Sequence, residues 1–326
     1  KRRSDEVFMK IKKVCVLGGS GFVGCHIVHR LSAAGYQVKV LTRRRERAKH
    51  LILLPNVQVE ECDVFFEAAL QRAVSGCDAV INLIGILHES RRASFDKVHV
   101  ELPRRVAAAC QTAGVKRLLQ MSALNASENA PSAYLRSRAG GEAAVLNAAG
   151  ETLEVTLFRP SVIFGRGDSF LNLFATLARW MPVMVLARPE ARFQPVFVED
   201  VARVFVGSLK NTATFSQLYE LCGPKVYTLR QLVQYVVATL GLKRVIIGLN
   251  DRLSYLQAWA MELLPVKLMT RDNYYSMKVD SVCDCAFPEV FGIQPMALEA
   301  VVPEYLADDT PRHAYLRFRS KAGRGQ

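Results

Sequence analysis

The most constraining stretch of the chain lies near its amino terminus, where a short apolar run enters a cluster of glycines and a helical pattern follows. A tight strand-to-helix turn needs backbone angles that glycine reaches easily, and only a bare backbone lets a diphosphate approach. Amide groups at the start of the helix then point at the anion. The pattern predicts a dinucleotide-binding loop; the alternative is a turn of the same shape without a ligand. The residues expected to contact the diphosphate are Gly18, Gly19, Ser20, Gly21, Phe22, Val23 and Gly24.

The first half of the chain alternates between short apolar runs and helical patterns. The predicted strands are residues 14–17, 38–41, 57–59, 79–83, 117–121 and 155–158, and the predicted helices are 23–34, 44–54, 68–74, 102–113 and 134–149. Such alternation is typical of parallel strands with right-handed crossovers, helices on both faces and a ligand at the carboxyl ends of the strands. The predicted fold class is therefore α/β, a Rossmann-type doubly wound parallel sheet with a smaller, mostly helical carboxy-terminal lobe.

The alternation of apolar runs and helical patterns ends after residue 165, and we place the predicted domain boundary there. We expect residues 9–165 to form the dinucleotide-binding domain, with residues 193–222 returning to it. Residues 166–192 and 223–312 would form the smaller lobe, for a substrate or a partner, and residues 313–326 a basic tail. In that lobe, apolar residues of 253–264 recur on one helical face. We expect this face to close the lobe's own core, with docking on a membrane or a partner protein as the alternative.

Charge and cysteine content narrow the class of protein. The 326 residues include 43 basic and 30 acidic ones, a net charge of +13. That excess suits nucleic acid, an anionic membrane surface or a phosphorylated ligand. Nucleic acid is not expected, because no aromatic and basic stacking motif accompanies the charge. The eight cysteines form no C-x-x-C pair, so we expect free thiols, a reducing compartment and no metal site.

The end of the second predicted strand bears on which dinucleotide is bound. Thr42 stands where an NAD site carries an acidic residue that accepts hydrogen bonds from the adenosine ribose, and Arg43 and Arg44 follow it. A guanidinium group matches a 2′-phosphate with two parallel hydrogen bonds. We therefore predict NADP(H), with NAD(H) as the less favoured cofactor. The alternative without a ligand is a solvated run of charges.

Further motifs follow the glycine loop in a fixed order. They are Asp63 after the third strand, Asn82-Leu83-Ile84-Gly85 at the end of the fourth, Ser122 after the fifth, Tyr134, Arg159-Pro160-Ser161-Val162-Ile163-Phe164-Gly165 and Pro195-Val196-Phe197-Val198-Glu199-Asp200-Val201-Ala202. Together with Gly18-x-x-Gly21-x-x-Gly24, they cover residues 10–205 and resemble the extended, epimerase/dehydratase-like branch of the short-chain dehydrogenase/reductase superfamily. The resemblance implies that Asp63 lies near the adenine and that Gly85 lines the cofactor cleft. The other cofactor-binding residues expected on this basis are Val64, Leu83, Ile84, Tyr134, Arg138, Pro160 and Val162.

The resemblance also indicates where catalysis would occur. In that superfamily a tyrosine is the general acid/base, a lysine four residues later binds the nicotinamide ribose, and a serine holds the substrate oxygen. Here the corresponding residues are Tyr134, Arg138 and Ser122. A planar guanidinium that keeps its proton is a poor replacement for a compact ammonium group. Two interpretations stay open: an active NADP-dependent reductase or epimerase, or a site that no longer catalyses, with Tyr134 as a half-buried helix aromatic.

A narrower resemblance rests on four segments, residues 134–142, 159–161, 262–265 and 268–273. They look like the atypical subgroup that contains the nucleotide-binding accessory subunit of respiratory complex I and its bacterial relatives. This implies a weakly active or non-catalytic subunit that holds NADP(H), linked to complex I or quinone metabolism. It also implies a membrane-associated protein complex or a membrane surface as partner. The corresponding location is cytoplasmic or matrix-side, peripheral to the inner membrane.

Overall fold

The computed structural model describes residues 11–91, 93–150, 152–264 and 268–306. Its internal contacts divide the chain into two units. Unit 1 comprises the chain up to Pro160, Glu199–Leu221 and Pro288–Ile293, and unit 2 comprises Ser161–Val198, Cys222–Phe287 and the chain from Gln294 onward. In this grouping the chain returns to unit 1 at Glu199, whereas the sequence places the return at residue 193; the domain boundaries stay a prediction. The predicted basic tail lies outside the described residues.

Unit 1 is built on one sheet of seven parallel strands in the order β11-β6-β5-β4-β1-β2-β3. The strands are β1 (Lys13–Leu17), β2 (Gln37–Thr42), β3 (Val57–Glu61), β4 (Ala79–Asn82), β5 (Arg117–Met121), β6 (Glu154–Pro160) and β11 (Leu218–Leu221). The helices are α1 (Phe22–Ala33), α2 (Lys49–Ile52), α3 (Glu67–Val74), α4 (Leu102–Thr112), α5 (Ala133–Ala149) and α7 (Val198–Ser208). This architecture confirms the predicted α/β, doubly wound fold class.

The sheet register positions the loops that matter for function. In β1, Leu17 pairs with Leu41 of β2 on one side and with Asn82 of β4 on the other. The carboxyl ends of these three strands are therefore level. Strands β1, β4 and β5 are buried along nearly their whole length, which is why they appear in the sequence as continuous apolar runs.

The predicted helix over residues 44–54 is wrong in extent. The chain instead forms a 3₁₀ turn (Arg45–Ala48) and the four-residue helix α2. Leu51 is buried, but Ile52 and Leu53 are exposed, so the apolar residues do not follow one helical face toward the core. Short helices depend on such packing, and the helix ends without it.

Unit 2 combines helices with three two-stranded sheets. The helices are α6 (Leu171–Trp180), α8 (Leu229–Thr239), α9 (Asp251–Glu262), α10 (Arg271–Ser276) and α11 (Leu298–Leu306). The sheets pair β7 (Ile163–Phe164) with β10 (Val196–Phe197), β8 (Val183–Leu186) with β13 (Val245–Gly248), and β9 (Arg192–Phe193) with β12 (Tyr227–Thr228). Apolar residues of α6, α8 and α11 form its core. Within the described ranges, no helix combines the length and the apolar character needed to cross a bilayer.

Two sequence expectations fail in unit 2. Cys222 and Cys283 form a disulfide, whereas all cysteines were expected as free thiols. The apolar face of α9 was expected to close the core, but Leu256 and Trp259 on it are exposed. The helix instead packs through its small residues, since Ser254 and Ala258 are buried and Ser254 Oγ accepts a hydrogen bond from Arg188 N (3.0 Å).

Candidate dinucleotide-binding site

The glycine loop joins β1 to α1 by a close approach of backbone to backbone. Gly18 has a positive φ of 78°, and Gly21 N donates to Gly18 O (3.0 Å). A Cβ atom on Gly24 would lie 2.2 Å from Gly18 O, so only glycine allows the first turn of α1 to pass this close to the loop. Among the described residues, no side chain caps α1, and its first turn carries no acidic residue. The partial positive charge of the helix terminus is thus left for an anion.

The ends of β2 and β3 carry the arginines and the aspartate predicted to surround the adenosine. Thr42 is buried, and its Oγ1 is within hydrogen-bond distance of Arg44 N (3.3 Å) and Arg44 O (3.2 Å). Cys62 N donates to Thr42 O (2.9 Å). This hydrogen bond fixes the residues after β3, including Asp63, beside Arg43, which follows β2. Asp63 is exposed and accepts from Phe65 N (3.0 Å), whereas Val64 is buried.

Arg43 and Arg44 are both exposed, and neither forms an ion pair with a carboxylate in the part of the chain that the structure describes. A 3₁₀ turn and α2 replace the longer helix predicted after these arginines, so the dipole of a long helix does not act on them. Two unpaired guanidinium groups at the carboxyl end of β2 are nevertheless free to bind a phosphate.

The loop after β4 lies against the glycine loop. Leu83 N donates to Leu17 O (3.0 Å), and Ile84 N donates to Asn82 Oδ1 (3.2 Å). Asn82 itself is fully buried and donates through Nδ2 to Gln120 Oε1 (2.9 Å). A Cβ on Gly18 would lie only 3.3 Å from Ile84 N, so the predicted residues Leu83 and Ile84 border the glycine loop.

Arg138 lies directly over Gly85. A Cβ atom on Gly85 would come within 2.1 Å of Arg138 Nη2, so the side chain can take this position only over a glycine. Arg138 Nη1 donates to Met121 O (3.4 Å), and the guanidinium carbon is 5.3 Å from the centroid of the Tyr134 ring. Arg138 Nε is buried and has no hydrogen-bond partner in the described ranges. The Arg138 guanidinium therefore contacts the Gly85 backbone, Met121 O and the face of the Tyr134 ring.

Ser122 and Tyr134 lie at the same end of the sheet as Arg138. Ser122 directly follows β5; the residue is 4% exposed, and its buried Oγ has no hydrogen-bond partner among the described residues. Tyr134, in the first turn of α5, is half-buried and packs against Ala123 and Ala130. An unpartnered buried hydroxyl costs free energy unless a ligand satisfies it. The structure thus brings the three predicted catalytic residues together around Met121 and Ala123.

The two remaining predicted residues lie at the end of β6. Pro160 is the last residue of that strand, and its carbonyl oxygen accepts from Leu124 N (3.0 Å). Val162 belongs to unit 2, where its carbonyl oxygen accepts from Val196 N (3.0 Å). Their predicted contacts to the cofactor stay predictions.

His99 is a site residue that sequence reasoning missed. It lies on a π-helical segment (Asp96–Glu101) and is 2% exposed. Its Nε2 accepts from Ile86 N (3.0 Å), so Nδ1 carries the proton and donates to Ser137 Oγ (2.8 Å). The imidazole thereby links Ile86, which follows Gly85, to Ser137, which precedes Arg138. No motif marks this lone histidine, and the π-helical conformation of its segment is not visible in the sequence.

Rings on both sides fix the orientation of His99. Its ring stacks on Phe95 at 5.4 Å between centroids, and Tyr134 meets it edge to face at 5.5 Å. Ser137 Oγ in turn donates to Tyr134 O (2.7 Å). Burial, helped by the positive charge of Arg138, lowers the pKa of the His99 imidazole to about 2. The histidine is thus neutral at physiological pH and acts as a fixed donor and acceptor.

This pKa predicts a pH-dependent stability. Below pH ~6.5 an unfolded imidazole takes up a proton that the folded one does not, so the unfolded state binds more protons and folding stability falls as the pH falls. We expect His99→Gln, which can still accept from Ile86 N and donate to Ser137, to reduce the slope between pH 4 and 6 by up to ~1.4 kcal/mol per pH unit. Denaturant unfolding at several pH values measures the slope of the unfolding free energy against pH.

The control for the His99 experiment is His29→Gln, on the exposed side of α1. This variant removes a histidine outside the site and should keep the wild-type slope. A His99→Gln protein with the wild-type slope would contradict the assignment of a neutral, buried imidazole.

Comparison with known proteins now identifies the family. The family model for the NAD dependent epimerase/dehydratase family matches residues 14–222. The chain belongs to this family. Its glycine loop and the helix terminus of α1 fit the nicotinamide dinucleotide that the family binds. The resemblance to the epimerase/dehydratase branch is confirmed.

Curated relatives of this family member include complex I subunits and reductases. NADH dehydrogenase [ubiquinone] 1 alpha subcomplex subunit 9, mitochondrial, of Mus musculus is 33% identical over 318 residues, covering 94% of this chain and 81% of the mouse protein. A ceramide reductase of Caulobacter vibrioides is 31% identical over 241 residues, covering 73% of this chain and 74% of the reductase. The predicted resemblance to the complex I accessory subunit is thereby confirmed, and a reductase is similar as well.

Solved structures support the fold. A nucleoside-diphosphate-sugar epimerase from Staphylococcus aureus has a TM-score of 0.70 at 17% identity, covering 88% of this chain and 98% of the epimerase. An NADPH-dependent quinone oxidoreductase from Escherichia coli, solved with NADPH, has a TM-score of 0.69 at 18% identity. The match covers 90% of this chain and 98% of the oxidoreductase. At such identities the likeness establishes the fold alone.

Proposed function

We propose that this family member binds NADP(H) in unit 1 as a weakly active or non-catalytic, cofactor-holding subunit linked to respiratory complex I or quinone metabolism. The observation that carries the proposal is Arg138, whose guanidinium packs over Gly85 and the Tyr134 ring at the position where the superfamily has lysine. The similarity to the mouse complex I subunit supports the same proposal.

In this proposal each part of the dinucleotide has its own contacts. The diphosphate binds the amide groups of Gly18, Gly19, Ser20, Gly21, Phe22, Val23 and Gly24 at the terminus of α1. Arg43 and Arg44 bind the 2′-phosphate, which distinguishes NADP(H) from NAD(H). The adenine lies near Asp63 and Val64. The nicotinamide half lies near Leu83, Ile84, Gly85, Tyr134, Arg138 and Pro160.

The nicotinamide ring, when bound, would supply or accept a hydride. The chain's own contribution is a hydrogen bond from Ser122 Oγ to a substrate oxygen and a proton held or released by the Tyr134 hydroxyl. Arg138 keeps its protons and cannot pass one on. It also meets the face of the Tyr134 ring and donates to Met121 O, an arrangement that stabilises the side chain without activating the hydroxyl. We therefore propose slow or absent turnover.

The second candidate function is an active NADP-dependent reductase or epimerase with Tyr134 as acid/base. It is favoured by the buried Ser122 Oγ, which has no hydrogen-bond partner and could orient a carbonyl substrate. The similarity to a ceramide reductase supports the same reaction class.

Exchange of one residue separates the two functions. We expect Arg138→Lys to raise NADPH oxidation roughly tenfold or more, the lower range of general acid/base effects, because a compact ammonium can approach the ribose and the tyrosine hydroxyl. The affinity for NADPH should change only a few-fold. Stopped-flow or steady-state NADPH absorbance, with a short-chain quinone and a long-chain ketone as acceptors, measures the rate.

Tyr134→Phe is the matched control. In the Arg138→Lys background it should return turnover to the original level. If the native chain already turns over with either acceptor and Tyr134→Phe abolishes that activity, the second function replaces the first.

The partner and the location belong to the same proposal. The mouse subunit and the 40 kDa subunit of NADH-ubiquinone oxidoreductase from Neurospora crassa are both named mitochondrial. We infer for this chain a membrane-associated protein complex or a membrane surface as partner. The inferred location is cytoplasmic or matrix-side, peripheral to the inner membrane.

A further inference from the structure

Unit 2 exposes an apolar sheet face that its own core does not use. Val183 pairs with Val245, and Val185 pairs with Ile247, between β8 and β13. All four side chains point to the same face and are exposed, whereas Met184 and Leu186 point to the core. A sheet face that contacts only water usually carries polar residues, whereas this one carries aliphatic residues.

Helix α9 lies beside this sheet. Gln257 Nε2 donates to Val185 O (3.0 Å), which attaches the helix to β8. With Ser254 and Ala258 buried, Leu256 and Trp259 are exposed, Trp259 to 46%. We call the exposed apolar residues of β8, β13 and α9 the apolar platform.

The charges around the apolar platform are mostly positive. Residues 171–188 and 240–264 contain five basic residues (Arg179, Arg188, Lys243, Arg244 and Arg252) and two acidic ones (Asp251 and Glu262). Both acidic residues are paired, Asp251 with Arg188 (2.7 Å) and Glu262 with Arg271 (2.8 Å). Lys243 and Arg252 are exposed. The rim is therefore positive.

Resting on the membrane partner of the proposed function, we propose that the apolar platform docks this protein on an anionic phospholipid surface. Tryptophan and aliphatic side chains with a basic rim match the boundary between headgroups and acyl chains, where apolar area enters the lipid and each nearby cation attracts anionic headgroups. A second copy of the chain would bring two positive rims together, in a protein of net charge +13. Charge complementarity thus favours the lipid over self-association.

The protein carries its own probe for this docking, because Trp259 lies on the platform and the other of its two tryptophans, Trp180, is exposed at the end of α6. We expect phosphatidylcholine vesicles containing phosphatidylglycerol to shift the tryptophan emission to shorter wavelength and to sediment the protein. Phosphatidylcholine alone should do so far more weakly. Lipids with brominated acyl chains should quench the emission.

The variants test the apolar and the basic parts separately. Leu256→Ser with Val245→Ser should lower the partition coefficient by roughly tenfold or more, because two apolar side chains no longer enter the lipid. Lys243→Glu with Arg252→Glu should lower it by roughly tenfold or more on anionic vesicles only. Leu53→Ser with Leu146→Ser, exposed apolar residues of unit 1, is the matched control and should bind as the wild type does.

Three results would overturn the proposal. The first is an unchanged emission with anionic vesicles. The second is sedimentation with vesicles that the platform variants do not weaken, which would place the contact elsewhere. The third is a shift in emission that depends on protein concentration without lipid, accompanied by a dimer in sedimentation velocity, since a second copy would then cover the platform. Correct folding of each variant is checked by its circular dichroism and thermal unfolding.

Discussion

Replacing Gly24 by alanine is expected to weaken the binding of NADPH and NADH by roughly a hundredfold or more, the equivalent of about 3 kcal/mol. The added Cβ would lie 2.2 Å from Gly18 O and 2.6 Å from Gly19 Cα, distances that real Cβ atoms do not reach. The first turn of α1 must then move away from the loop. The amide groups that bind the diphosphate would move with it, and both nucleotides would lose the same contacts. Isothermal titration calorimetry with each nucleotide measures the loss.

The matched control for Gly24→Ala is Gly207→Ala, the same change in another helix of unit 1. There the added Cβ meets nothing closer than Phe291 Cδ1 at 3.9 Å, so binding should stay at the wild-type level. If Gly24→Ala fails to fold, Gly21→Ala gives a milder test, because its Cβ would lie 3.2 Å from Gly18 O. A folded Gly24→Ala protein with wild-type affinity would contradict the loop assignment.

The double variant Arg43→Ala/Arg44→Ala should weaken NADPH roughly a hundredfold and leave NADH within a few-fold. Both guanidinium groups are exposed, and neither is held by a carboxylate within the described ranges, so both can bind the 2′-phosphate. A hydrogen bond to a charged group contributes about 1.5–3 kcal/mol, and two such contacts account for the expected loss. NADH lacks the 2′-phosphate and cannot lose them. Competitive titration of the two nucleotides gives the ratio.

A control of equal charge is Arg72→Ala/Arg104→Ala, at exposed positions of α3 and α4. It removes the same two positive charges from unit 1 and should change NADPH and NADH equally and little. If Arg43→Ala/Arg44→Ala also weakens both nucleotides equally, the preference for NADP(H) is wrong, and the arginines are a solvated run of charges.

The sheet and its glycine loop could be predicted because their signals are local. Buried parallel strands need continuous apolar runs, and a strand-to-helix turn that approaches a diphosphate needs glycine where Gly18 and Gly24 stand. The family resemblance also predicted site residues at the ends of β4 and β5. The structure then brings Ser122, Tyr134 and Arg138 together as that resemblance implies, although their roles stay proposals.

The features that the sequence did not predict depend on tertiary contacts. His99 becomes part of the site only because a π-helical segment turns it toward Ile86 and Ser137. The apolar periodicity of α9 is real, but it does not say which face is buried, and here the small residues Ser254 and Ala258 face inward. The pairing of Cys222 with Cys283 joins residues 61 positions apart, and no local pattern marks it.

The account depends most on the binding of a nicotinamide dinucleotide by unit 1. Calorimetric titration of the full-length, folded protein with NADPH and with NADH tests this most directly. We predict one bound nucleotide per chain and a clearly tighter association with NADPH. Binding of neither nucleotide by folded protein would contradict the account, from the glycine loop to the proposed function.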